Sequence, residues 1–90
     1  SERIAVGLRE HMNDDDTLKS AGFEFSPMHG GCLVKRDGPG LYIVFRPIDT
    51  RSGKYELSYL IPKVRRIDFV PTSARGVLSQ VTRNRKESTS

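Results

Sequence analysis

From Lys54 to Ile61 the chain alternates strictly between two sets of side chains: Tyr55, Leu57, Tyr59 and Ile61 on one side, Lys54, Glu56, Ser58 and Leu60 on the other. Successive side chains of extended backbone point to opposite faces, so this period of two marks a strand with one buried face. A helix would scatter the same apolar set around its axis. The period recurs upstream, where Leu41, Ile43 and Phe45 alternate with Tyr42, Val44 and Arg46, and Phe23 and Phe25 alternate with Glu24 and Ser26. Asp37-Gly38-Pro39-Gly40 is a tight-turn signal, so Cys32 to Arg36 and Leu41 to Arg46 are expected to pair as a hairpin. Pro27 and Pro62 each limit a strand, because proline has no N–H to give to a ladder. Val64 to Val70 supplies one more strand, with Ile67 and Phe69 inward and Arg65 on their side.

The flanks have a different period. Ile4, Leu8 and Met12 recur every four residues, the pattern of a short amphipathic helix that Gly7 weakens. Asp14 to Ala21 reads as a second helix, with aspartates at its start opposing the dipole. Gly22 supplies the left-handed residue after it, which lets Phe23 pack back on Leu18. Thr72 or Ser73 caps a last helix whose apolar stripe is Val77, Leu78 and Val81. The expected fold class is α+β: short N-terminal helices, a four- or five-stranded antiparallel meander and a C-terminal helix. A small β-barrel with flanking helices is the alternative. Residues 1–82 are expected to form one domain. Residues 83–90, which hold nothing apolar, read as a basic polar tail that is flexible.

Size narrows the function. A chain of 90 residues buries roughly 60 to 65% of its unfolded surface, which leaves no volume for a deep active-site cavity. One cysteine, Cys32, cannot form an internal disulfide, and a cytoplasmic location is expected. No apolar run approaches about 18 residues, so no membrane span is expected.

Charge is distributed unevenly. Residues 62–90 carry seven basic side chains against two acidic ones, a net of +5, while residues 1–61 carry eight against nine, a net of −1. A basic block on a nearly neutral body is the footprint of a protein that meets polyanions. Arg75, Arg83, Arg85 and Lys86 are the candidate phosphate contacts, extended by Arg65 and Arg66. Tyr42, on the strand face opposite Leu41, Ile43 and Phe45, is the candidate for stacking on unpaired bases, and Arg46 beside it is a further candidate nucleic-acid contact. Tyr55 and Tyr59 share a face with aliphatic residues and are expected in the core.

Other motifs are weaker. Asp14-Asp15-Asp16 lacks the alternating spacing of a calcium loop and is better explained by helix capping. His11, His29 and Cys32 lack zinc-ligand spacing, so neither metal nor cofactor is expected. Met28-His29-Gly30-Gly31 reads as a glycine-rich turn, with His29 as a general acid or base in phosphodiester cleavage as the sharper alternative.

Thr17-Leu18-Lys19-Ser20-Ala21-Gly22-Phe23-Glu24-Phe25, followed by a glycine-containing connection and Cys32-Leu33-Val34-Lys35-Arg36, resembles the opening of HicA-type mRNA interferases. The resemblance covers residues 17–36 and implies a double-stranded-RNA-binding-domain layout of helix, three strands and helix. In that family the catalytic histidine follows the glycine and opens the second strand. Here His29 precedes Gly30-Gly31, and Cys32 occupies the corresponding region.

Three functions follow as expectations. The first is a small non-enzymatic nucleic-acid-binding or nucleic-acid-associated regulatory protein, DNA or RNA undecided, that contacts phosphates through its basic C-terminal segment. The alternative is a protein-interaction module, an inhibitor or adaptor that binds a larger protein or forms a homodimer across a sheet edge beside Pro27 or Pro62. RNA cleavage through His29 is the minor third.

Overall fold

A computed structural model describes residues 14–89 of the chain. The helix expected over Ile4, Leu8 and Met12 lies outside the described residues. Residues 14–20 form helix α1. Five strands follow: β1 (Glu24–Ser26), β2 (Cys32–Asp37), β3 (Gly40–Phe45), β4 (Glu56–Ile61) and β5 (Arg65–Asp68). Helix α2 (Ala74–Thr89) closes the fold, and short 3-10 turns occupy Met28–Gly30 and Pro47–Asp49. Each strand pairs antiparallel with its neighbour in sequence, in the order β1-β2-β3-β4-β5. The sheet stays open, an α+β meander rather than a barrel.

Local chemistry ends α1 as its sequence requires. The Phe23 N–H donates to the Leu18 carbonyl at 3.1 Å and the Gly22 N–H to that of Lys19 at 3.0 Å, the paired bonds of a Schellman cap. Gly22 sits at φ +103°, where a Cβ would be strained. The cap turns the chain so that Leu18 and Phe23 enter the same core. At the other end of the molecule Ser73 caps α2: its Oγ accepts the Gly76 N–H at 3.2 Å.

The register defines two sheet faces. Leu33 pairs with Val44 and Val44 with Leu57, while Lys35 pairs with Tyr42 and Tyr42 with Tyr59. These side chains share the face on which both helices pack. Leu18 of α1 and Ala74, Val77 and Val81 of α2 join Phe23, Leu33, Tyr42, Val44, Tyr55, Leu57 and Tyr59 in one buried core. Removing each of the larger aliphatic or phenylalanine side chains among them from water contributes about 1.5 to 3 kcal/mol. Val34, Leu41, Ile43, Phe45 and Leu60 lie on the opposite face, outside that core and partly exposed.

Two expectations are corrected. The faces of β3 are reversed: Tyr42 and Val44 point into the core, and Leu41, Ile43 and Phe45 point away. Both sides of this strand are apolar, so its own alternation does not select one, and pairing with Leu57 and Tyr59 of β4 does. Gly40 completes the arrangement, because a Cβ there would lie 2.3 Å from the Tyr59 ring carbon Cζ. Residues 83–89, expected as a polar tail, are instead the last turns of α2. Asn84 is buried there, and its Nδ2 donates to the Tyr42 hydroxyl at 2.8 Å. No helix among the described residues is long and apolar enough to cross a membrane.

Candidate nucleic-acid interface

Helix α2 turns a basic face to solvent because its other face is spent on the core. Ala74, Val77, Val81 and Asn84 are buried. At 3.6 residues per turn, Arg75, Ser79, Thr82 and Lys86 fall on one line along the opposite side, with Arg83 beside it. All five are exposed. Lys86 stands in the last turn, where a cation complements the helix dipole. Arg75 stands in the first turn, where a cation is disfavoured by about 0.3 to 1 kcal/mol. Helix stability therefore accounts for Lys86 but not for Arg75.

The flank of this face opens into a groove of about 530 Å3 between α2, the end of α1 and β2. Ala21, Phe23, Leu78 and Val81 form its apolar floor, and Lys35, Arg85 and Lys86 rim it. Lys35 Nζ donates to the Ala21 carbonyl at 2.6 Å and lies 6.0 Å from the Phe23 ring centroid. Arg85 Nε lies 3.5 Å from Asp37 Oδ2 with its side chain still 59% exposed. Lys35 is the member that sequence reasoning missed. Its signal was its alternation with Leu33, which puts a cation on the core face of β2.

The remaining candidates do not converge. Arg65 is exposed on the helix-bearing face of the edge strand β5, beside Ile61 in register. Arg66, one residue on, is on the opposite face, where its Nε donates to Asp68 Oδ1 at 2.9 Å. Arg46 lies six residues along β3 from Gly40, roughly 20 Å at about 3.3 Å per residue. Its guanidinium carbon is 5.4 Å from the Phe25 ring centroid, and its Nη2 is 3.5 Å from Asp49 Oδ2. Its Nε is buried without a hydrogen-bond partner among the described residues. Tyr42 is withdrawn from any surface role: it is fully buried, its ring is 4.4 Å from that of Tyr59, and its hydroxyl accepts from Asn84. No base can stack on it.

Titratable groups reflect burial rather than reactive chemistry. Burial pushes the Cys32 thiol up, which keeps it protonated and a poor nucleophile. Burial raises Tyr42 likewise. Tyr55 is driven well above the usual tyrosine range by burial and by the Asp15 carboxylate, which accepts a hydrogen bond from its hydroxyl. Asp15 thus ties α1 to the sheet, a role its triplet context did not reveal. Asp68 is held below the usual carboxylate range by the Ser58 hydroxyl, 2.7 Å away, and by Arg66. Among the described residues no three His, Cys, Asp or Glu side chains gather as metal ligands, and His11 lies outside them.

Comparison with protein-family models, with curated proteins and with solved structures finds no match for this chain. The helix, three-strand, helix layout implied by the resemblance over residues 17–36 is not the one observed, since five strands lie between α1 and α2.

Proposed function

We propose that this chain is a non-enzymatic nucleic-acid-binding protein that grips the phosphate backbone with the outward face of α2. The observation that carries this reading is the alignment of Arg75, Arg83 and Lys86 on one exposed side of a single helix. Arg85 and Lys35 extend the positive field along the adjoining groove. Arginine suits the task because its planar fork bonds phosphate oxygens in pairs and stays charged. Five cations in one footprint give a salt dependence of about 4 to 5 log units of affinity per log unit of salt on duplex DNA. With Tyr42 in the core, the tyrosine expected to stack on bases is unavailable, and backbone contact predominates over sequence readout.

The test is binding to labelled duplex DNA, single-stranded DNA and RNA over about 50 to 300 mM salt. The reading requires micromolar or tighter binding near 150 mM. It also requires that Arg75→Gln/Arg83→Gln/Lys86→Gln weaken binding and shallow the slope by about 2 to 3. Binding that is lost below 150 mM, or a slope unmoved in the variant, would overturn it. The second reading, a protein-interaction module, is favoured by the uncovered sheet face.

A further inference from the structure

The face of the sheet turned away from the helices carries an ordered charge pattern. The register lays out two neighbouring rows across the strands there. One row runs Arg36, Leu41, Leu60, Arg66. The next runs Glu24, Val34, Ile43, Ser58, Asp68. The first row has an apolar middle and ends in cations on both sides; the second has Val34 and Ile43 beside a buried Ser58, whose hydroxyl donates to Asp68, and ends in anions on both sides. Arg36, Arg66, Glu24 and Asp68 are all exposed, and the aliphatic residues between them are partly exposed. Phe45 and Glu56 follow in a third row, whose far corner is closed by the Met28–Gly30 turn: Met28 N–H donates to Ser26 Oγ at 3.4 Å. Among the described residues, no helix packs on this face, and its apolar side chains stand outside the core.

We propose that this open face is the contact between two copies of the chain. A two-fold axis lying in the contact plane, parallel to the rows and midway between them, sets the cationic row of one copy over the anionic row of the other. Arg66 then meets the second copy's Asp68, Arg36 approaches its Glu24, and the aliphatic middles pack together. An axis along the strands would set Arg36 over Arg66 and is rejected by the charges. The contact is isologous and closes as a dimer of two sheets face to face, about 10 Å apart, with both α2 helices outermost. The edges favour this over strand addition, since β1 has three residues and β5 four. Five strands at about 4.8 Å spacing and about 20 Å length give a field of roughly 400 to 500 Å2, the size at which surface patches mark interaction sites. Two such faces bury roughly 800 to 1,000 Å2 in total, in the range of weak, transient contacts, so the dimer is expected to be concentration-dependent in the micromolar range or above.

The test is sedimentation equilibrium of the full chain from about 1 to 500 µM, with two charge-reversed variants. Arg36→Glu/Arg66→Glu makes both rows acidic, and Glu24→Arg/Asp68→Arg makes both basic. Each variant alone should be monomeric, with dimerisation weakened at least about a hundredfold by like-charge contact. Their equimolar mixture should restore a dimer, now of one copy of each. Far-UV circular dichroism checks folding; Leu60→Asn, which removes apolar contact without adding charge, gives an independent weakening if an arginine-bearing variant fails to fold. A parent chain that stays monomeric to 500 µM overturns the proposal. So does a dimer that survives both reversals, which would place the contact elsewhere. Neither result bears on nucleic-acid binding by α2, which is on the far side of the sheet.

Discussion

The two faces of this sheet are built from similar residues and end in different states. On the helix-bearing face Tyr42, Val44, Leu57 and Tyr59 are at most 5% exposed. On the other face Leu41, Ile43, Phe45 and Leu60, from the same two strands, stay partly exposed. Composition does not distinguish them; partners do. Tyr42 is held by the Tyr59 ring and Asn84, and Leu57 by the helices above it. The open face has charge rows at its rim and no helix among the described residues to meet. Stability is therefore concentrated on one side, and the other side is left with surface to offer.

The largest effect expected from this contrast is on stability. Leu57→Ala, on the covered face, should cost about 2 to 5 kcal/mol in urea unfolding. Ile43→Ala, one strand away on the open face, should cost roughly half that or less when measured at low micromolar concentration. Equal losses would erase the distinction. Gly40→Ala should cost about 1 to 3 kcal/mol, because the new Cβ meets the Tyr59 ring. Asn84→Ala should cost about 1 to 3 kcal/mol by stripping the buried Tyr42 hydroxyl of its donor. A loss near zero would show that the last turns of α2 contribute nothing to the core.

The faces should also separate in pH. Tyr55 belongs to the covered side and its pKa is raised, so its contribution is complete below the ordinary tyrosine value near 10 and is lost as pH rises. Asp68 belongs to the open side and its pKa is lowered. Its contribution is complete above the ordinary value of about 3.9 and is lost as pH falls through the folded-state value. Tyr55→Phe should flatten the alkaline limb of the stability profile and Asp68→Asn the acid limb. The smallest effect is local: Lys63, at φ 63° in the turn after Pro62, occupies a position that suits glycine. Lys63→Gly should stabilise by about 0.5 to 1 kcal/mol in the same unfolding assay.

The element order from α1 onward, the hairpin at Asp37 to Gly40, the Gly22 cap and the core face of β4 were legible in the sequence. Each rests on local chemistry: a period, a turn residue, a cap. What was not legible depended on contacts between distant segments. The side of β3 that faces the core is decided by its pairing with β4, since both of its sides are apolar. Asn84 looked like part of a polar tail because its partner, Tyr42, is 42 residues away. In the candidate site, the helix cations could be grouped by spacing alone, while Arg66 and Arg46 could be separated from them only by register and by the Asp68 and Asp49 contacts.

The most direct measurement is a salt titration of nucleic-acid binding by two variants that each lose two charges. Arg83→Gln/Lys86→Gln removes cations from the helix face, and Arg36→Gln/Arg66→Gln removes them from the open sheet face. If α2 carries the phosphate contacts, the helix pair should shallow the salt slope on duplex DNA by about 1.8, while the sheet pair leaves it unchanged. A slope that moves with the sheet pair and not with the helix pair would contradict it.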